Sequence, residues 1–269
     1  MYRFTLLMAA LCLSAARLAA QTERLETFDL TDRPTLLGRL FDSDKFDPSG
    51  EVLWKPRNFA DAVSANFSDD GLQHTALDTI LYFSSYGNKQ AVAVFATRHY
   101  EKGEVTDCHS CGADISVAVF HETVSGRWQV EQFAKHFTSL GSFGETGEAG
   151  LTQFGADEWC LRLGMEWTGQ GIYSEYASFW DLEDITRVFS YVVHEDNSGL
   201  VGDDPVRGYS YDKSIHFKAN EETESAWWDF DLVTRGTMFD SEDEKAAPAN
   251  RVVHYTYDAE TNSYTQVCD

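Results

Sequence analysis

The strongest hydrophobic signal in the chain is a pair of apolar runs, Ala91-Val92-Ala93-Val94-Phe95 and Ser116-Val117-Ala118-Val119-Phe120. In a strand, alternate residues point to opposite faces, and here both faces are apolar. That pattern predicts central β-strands covered on two sides. The runs echo each other at an offset of 25 residues without a third copy. They therefore predict two neighbouring strands of one sheet, since a solenoid or propeller needs at least three repeats. Around them, 80–84 predicts a strand, Gly87-Asn88 a turn and 91–98 the returning strand. Residues 115–122 continue the pattern, Ser125-Gly126 turns it, and 127–133 pairs back.

Upstream, Leu36 to Phe41 is a short apolar patch suited to one helical turn. Residues 56–67 read as a helix, with Pro56 in its first turn and Phe59, Ala62, Val63 and Phe67 at spacings of three and four. Residues 42–51 read as a loop broken by Pro48 and Gly50, and 72–79 as a second short helix or a turn. Downstream, Gly141, Gly144, Gly147, Gly150 and Gly155 mark a connecting loop. Strands are expected near 158–163, 172–180, 186–193, 214–218, 226–234, 252–257 and 264–267. Polar turn chemistry between Tyr257 and Tyr264 makes a hairpin, and 239–248 an acidic loop. The expected fold is mainly β, of antiparallel sheets, with one or two short helices near the N-terminus. It spans 21–269 as a single β-rich domain or as two lobes meeting near 141–155.

Composition supports a folded chain: 43% of residues are hydrophobic and 14% aromatic, which a disordered chain rarely reaches. The net charge of −23 changes the functional picture more. Such a surface repels phosphate backbones, so nucleic acid is not an expected partner, and it suits a solvated, exported protein. The first twenty residues agree. Arg3 supplies a positive start, 4–16 an apolar core too short to span a bilayer, and Leu18-Ala19-Ala20 a cleavage site before Gln21. Leu11 before Cys12 argues against a lipoprotein. The expectation is a signal peptide over 1–20, export to the periplasm or beyond, and no membrane insertion after cleavage.

Export bears on the cysteines. The mature chain keeps Cys108, Cys111, Cys160 and Cys268, an even number that suggests disulfides. Four cysteines allow three pairings; the preferred one joins Cys108 to Cys111 and Cys160 to Cys268. The stretch Asp107-Cys108-His109-Ser110-Cys111-Gly112 also offers chemistry. A redox pair usually sits at a helix N-terminus, where the dipole favours thiolate, but here a strand signal follows. Cys108, His109 and Cys111, completed by His121 or His99, have the donor types of a tetrahedral zinc site, although a second half-site is missing. Haem attachment needs His where Gly112 stands.

Other motifs are weaker. His121-Glu122 does not continue into a metalloprotease helix, no nucleophile elbow flanks Ser142, and no phosphate-binding glycine loop is present. Asp42, Asp44, Asp47 and Glu51 form an oxygen-rich loop that resembles a calcium loop but breaks the EF-hand pattern at Phe46 and Asp47. Asp196-Asn197-Ser198-Gly199 with Asp203-Asp204 is a second acidic loop. Trp227-Trp228 places one ring on each face of a strand, so one is a candidate for ligand stacking.

The order Asp-Cys-His-x-Cys, then Ile115-Ser116-Val117-Ala118-Val119-Phe120, Gly126-Arg127-Trp128 and Leu140-Gly141-Ser142-Phe143-Gly144 resembles a group of uncharacterised exported bacterial proteins. The Trp227-Trp228-Asp229-Phe230-Asp231-Leu232 stretch and the closing tyrosine hairpin are similar too. The resemblance implies no activity and carries over no catalytic residue. The function expected is a secreted or periplasmic non-enzymatic protein with a binding or structural role and no cofactor. The alternative is a metal- or redox-active protein using Cys108, His109 and Cys111, with zinc or calcium as the ion.

Overall fold

A computed structural model describes residues 27–56, 72–101, 104–105, 112–141, 146–202, 206–218, 226–240 and 245–267. The architecture is two antiparallel sheets. The first contains β1 (Thr27–Phe28), β2 (Lys45–Phe46), β3 (Val52–Trp54), β4 (Gln73–Ser85), β5 (Asn88–Glu101), β6 (Glu104–Val105), β7 (Ala113–Glu122) and β8 (Trp128–Leu140). Their order is β1-β8-β7-β5-β4-β3-β2, with β6 paired to β5. The second contains β9 (Ala149–Gln153), β10 (Trp159–Gly169), β11 (Ile172–Asp181), β12 (Arg187–Asp196), β13 (Ser210–Lys218), β14 (Asp229–Asp240), β15 (Lys245–Pro248), β16 (Arg251–Asp258) and β17 (Ser263–Gln266). It runs β17-β16-β14-β13-β12-β11-β10-β9, with β15 paired to β14. Among the described residues, no helix is long and apolar enough to cross a membrane.

The two apolar runs are neighbouring central strands, as their pattern predicts: Val92 pairs with Val119 and Val94 with Val117. Both faces are dry. On one, Ala91, Ala93, Phe95, Ala118 and Phe120 pack under helix α1 (Arg33–Leu40), whose Leu36 and Leu37 are buried. Asp32 caps α1 by accepting from the Thr35 N–H, and Pro34 fits its first turn, where no intrahelical donor is needed. On the other, Val92, Val94, Ile115, Val117 and Val119 pack with Leu161 and Leu163 of the second sheet and with Leu182 and Ile185 of its β11–β12 connection. The sheets therefore share one of the three apolar clusters found among the described residues.

The second sheet curls around its own core. Phe154 is its centre, fully buried, with ring centroids 4.8 Å from Phe217 and 5.0 Å from Phe179. The curl is drawn together where the Trp228 N–H donates to the Phe154 carbonyl at 2.7 Å, beside a bridge between Gly155 and Trp227. A four-residue helix, α2 (Ser198–Val201), follows β12.

Four expectations change. Part of the 42–51 loop is β2, paired with β3. Residues 73–79 are strand, the first half of β4, and not a helix or turn. Their register is set by β3 on one side and β5 on the other, and their buried positions are polar, which hid the alternation. Part of the 141–155 loop is β9, with Phe154 as a core plug just beyond it. Part of the 239–248 loop is β15, paired back on β14. The expected helix over 56–67 lies outside the described residues, apart from Pro56.

Candidate functional site

Two places gather chemically able side chains. The first is a cleft of about 650 Å³ at the mouth between the sheets. Asp78 and Arg98 reach it from β4 and β5, and Glu148, Arg162, Glu166 and Glu175 from the second sheet. Asp78 is the extra residue of a β-bulge between Leu77 and Thr79, and its carboxylate accepts from the Thr146 hydroxyl at 3.0 Å. Arg162 is paired with Glu148 at 2.8 Å, and Glu175 accepts from the Tyr173 hydroxyl at 2.7 Å. That contact pushes the Tyr173 phenol above its usual range, with burial adding to it. The Arg98 Nε is buried with no partner among the described residues. The cleft thus has one under-used guanidinium on one wall and two carboxylates, Glu166 and Glu175, on the other.

The second place lies on the same sheet. β2 and β3 form a hairpin, and its turn, Asp47-Pro48-Ser49-Gly50-Glu51, is held by the Asp47 carboxylate. Oδ1 accepts from the Ser49 N–H at 2.9 Å, the Ser49 hydroxyl at 2.7 Å and the Glu51 N–H at 2.9 Å. Oδ2 is 3.0 Å from Nε2 of His74, and Glu51 Oε2 is 2.8 Å from the same nitrogen. Partial burial opposes the Asp47 charge, but His74, Ser49 and the Glu51 N–H outweigh it and hold this carboxyl well below the usual range. His74 is 3% exposed, its ring stacked on Tyr100 at 5.5 Å. Arg98 is its direct cross-strand partner, so His74 neighbours the cleft wall.

The adjacent face of β4 explains the polar sequence there. The Trp54 indole N–H donates to Thr75 Oγ1 at 2.8 Å, and Thr75 and Thr97 share a hydrogen bond of 2.8 Å. Thr97 pairs with Asp114, whose carboxylate accepts from Ser139. Neighbouring polar groups satisfy Trp54, Thr75 and Thr97, whereas Asp114 keeps one oxygen, Oδ2, buried without a partner among the described residues.

Comparison with protein-family models, curated proteins and solved structures finds no match. Any functional argument for this chain therefore rests on its own side chains.

Cys108, His109, Cys111 and Cys268 lie outside the described residues, as do Asp203 and Asp204. Gly112, which follows the pair, is described: a Cβ there would lie 2.5 Å from the Leu140 carbonyl oxygen. Backbone contact therefore requires glycine at that position, whatever the cysteines do. His121 stands near the other end of β7, roughly 30 Å along the strand from Gly112 at about 3.3 Å per residue. There it pairs with Glu131 at 3.0 Å, so the strand does not bring it to the cysteine end. Cys160 is buried and its thiol is free. Trp227 is core, stacked on Tyr257 at 4.5 Å, and Trp228 packs edge-on against Phe217 at 6.1 Å. Of the acidic loop at 42–51, Asp47 and Glu51 converge on one point, whereas Asp42 and Asp44 do not join them. His74 and Arg98 carried no motif, and their only local signal was charge inside a strand.

Proposed function

We propose that this is an exported, non-enzymatic binding protein that holds a small polar ligand in the cleft between its sheets. One observation carries the reading: a cleft of about 650 Å³ is lined by Arg98, whose Nε is buried without a partner among the described residues, and by Glu166 and Glu175. Pockets of this size suit small ligands, and a few placed charges give orientation and specificity. The matching ligand has an anionic group for Arg98 and a cationic group for the two glutamates, as in an amino acid or short peptide with a basic side chain. Arg162 is paired with Glu148, Asp78 accepts from Thr146 and Glu175 from Tyr173, which supports a preformed site. The leader-like N-terminus and the acidic composition support export.

The cysteine pair belongs to this reading as a covalent clip at the entrance to β7. The support is an exported route and the backbone packing at Gly112. The competing role is a metal or redox site at Cys108, His109 and Cys111.

Calorimetric titration with L-lysine and the dipeptide Gly-Lys tests the cleft, with acetate and ethylammonium as singly charged controls. Saturable binding of the doubly charged probes alone, lost in Arg98→Met, is the expected result. No binding of either probe, or undiminished binding by R98M, would overturn the reading. Intact mass with and without reductant, together with metal analysis, tests the clip. A disulfide mass shift without bound zinc at the thiols is expected, whereas free thiols holding zinc would favour the competing role.

A further inference from the structure

We infer that Asp47, Glu51 and His74 form a binding site for a divalent first-row transition-metal ion, which clamps the β2–β3 hairpin to β4. The three donor groups lie within 4.8 Å of one another. The argument begins with proton counting. An imidazole nitrogen offers at most one hydrogen, yet two carboxylate oxygens stand 2.8 and 3.0 Å from His74 Nε2. A single hydrogen shared between two acceptors satisfies neither well, and the carboxylates repel each other across it. A cation between the three donors removes both conflicts. The two nitrogen–oxygen spacings agree: ligands about 2.1 Å from a metal at right angles are about 3.0 Å apart.

The surroundings point the same way. His74 is 3% exposed, and its Nδ1 is buried without a partner among the described residues. The ring's polar contacts are thus concentrated at Nε2, which faces the gap between the carboxylates. Asp47 is fixed by two main-chain donors on its other oxygen, with the Ser49 hydroxyl 2.7 Å from both carboxylate oxygens, the support expected around a ligating carboxylate. Glu51 has a 32% exposed side chain, so the gap is open to solvent on that side. A site with one imidazole, two carboxylates and water-filled remaining positions suits zinc or manganese. Calcium, which takes six to eight oxygen ligands, fits it less well.

The test uses full-length mature protein, stripped with chelator, with any free thiols alkylated so that Cys108 and Cys111 cannot contribute. Zinc and manganese are titrated calorimetrically, and melting temperature is followed with and without each. One equivalent should bind and raise the melting temperature by several degrees. Glu51→Gln, a change at a partly exposed position, should weaken binding at least tenfold and abolish the thermal shift. His74→Gln should do the same if it folds. Failure of the wild type to take up either ion, or unchanged affinity in E51Q, would overturn the assignment and leave a metal-free ion triad.

Discussion

Asp181 and Cys160 show how burial alone sets side-chain chemistry. Asp181 ends β11 and is pushed up to about 6, chiefly by burial and then by Asp184, Glu183 and Glu158, against the Glu183 N–H that favours its charge. A carboxyl raised in the folded state contributes stability that is fully present below its unfolded value, near 4, and is lost as pH rises through about 6. Asp181→Asn should therefore stabilise the protein at pH 7 by about 1–2 kcal/mol, allowing for partial solvent screening. The gain should shrink as pH falls below about 6 and vanish by about pH 3, below the unfolded value. Thermal melts of both proteins across this range would show it, and a pH-independent difference would count against burial as the cause. Cys160, the direct cross-strand partner of Asp181 on β10, is pushed up by burial and by the Asp181 and Glu158 charges, so its thiol stays protonated and poorly nucleophilic.

At the scale of elements, register decides what local pattern leaves open. The chain entering β9 presses against β10 so closely that the Gly164 N–H donates to the Glu148 carbonyl at 2.7 Å. Gly147 has φ +73°, and a Cβ there would lie 2.1 Å from the Gly164 oxygen. Gly147→Ala should cost about 2–3 kcal/mol through backbone strain and steric displacement. It should also lower ligand affinity at the cleft, which Gly147 helps to line. Chemical denaturation with the cleft titration would measure both effects, and wild-type stability would remove the close-approach argument. The same segment looks like a plain loop in sequence because glycines interrupt its apolar positions. β4 was obscured in the opposite way: Gln73, His74 and Thr75 are buried but polar, so their alternation carries no hydrophobic signal.

Across the whole molecule, the cluster between the sheets couples the halves. Ile115, fully buried, packs in the cluster that contains Leu161 and Leu163. Ile115→Ala should cost about 3 kcal/mol and lower the urea midpoint of both sheets together. Tryptophan fluorescence and far-ultraviolet dichroism would then report one coincident transition, whereas two transitions with only one displaced would mean that the sheets unfold separately. The sequence by itself determined the mainly β class, the central pair of strands and most later strands. These follow from local alternation and turn residues, which act over a few positions. Tertiary structure alone decided that Phe154 fills a core, that Trp227 is buried, that His74 meets Asp47 and Glu51, and that Arg98, Glu166 and Glu175 line one cleft. Those partners stand far apart along the chain, and only sheet register and the packing of one sheet on the other bring them together.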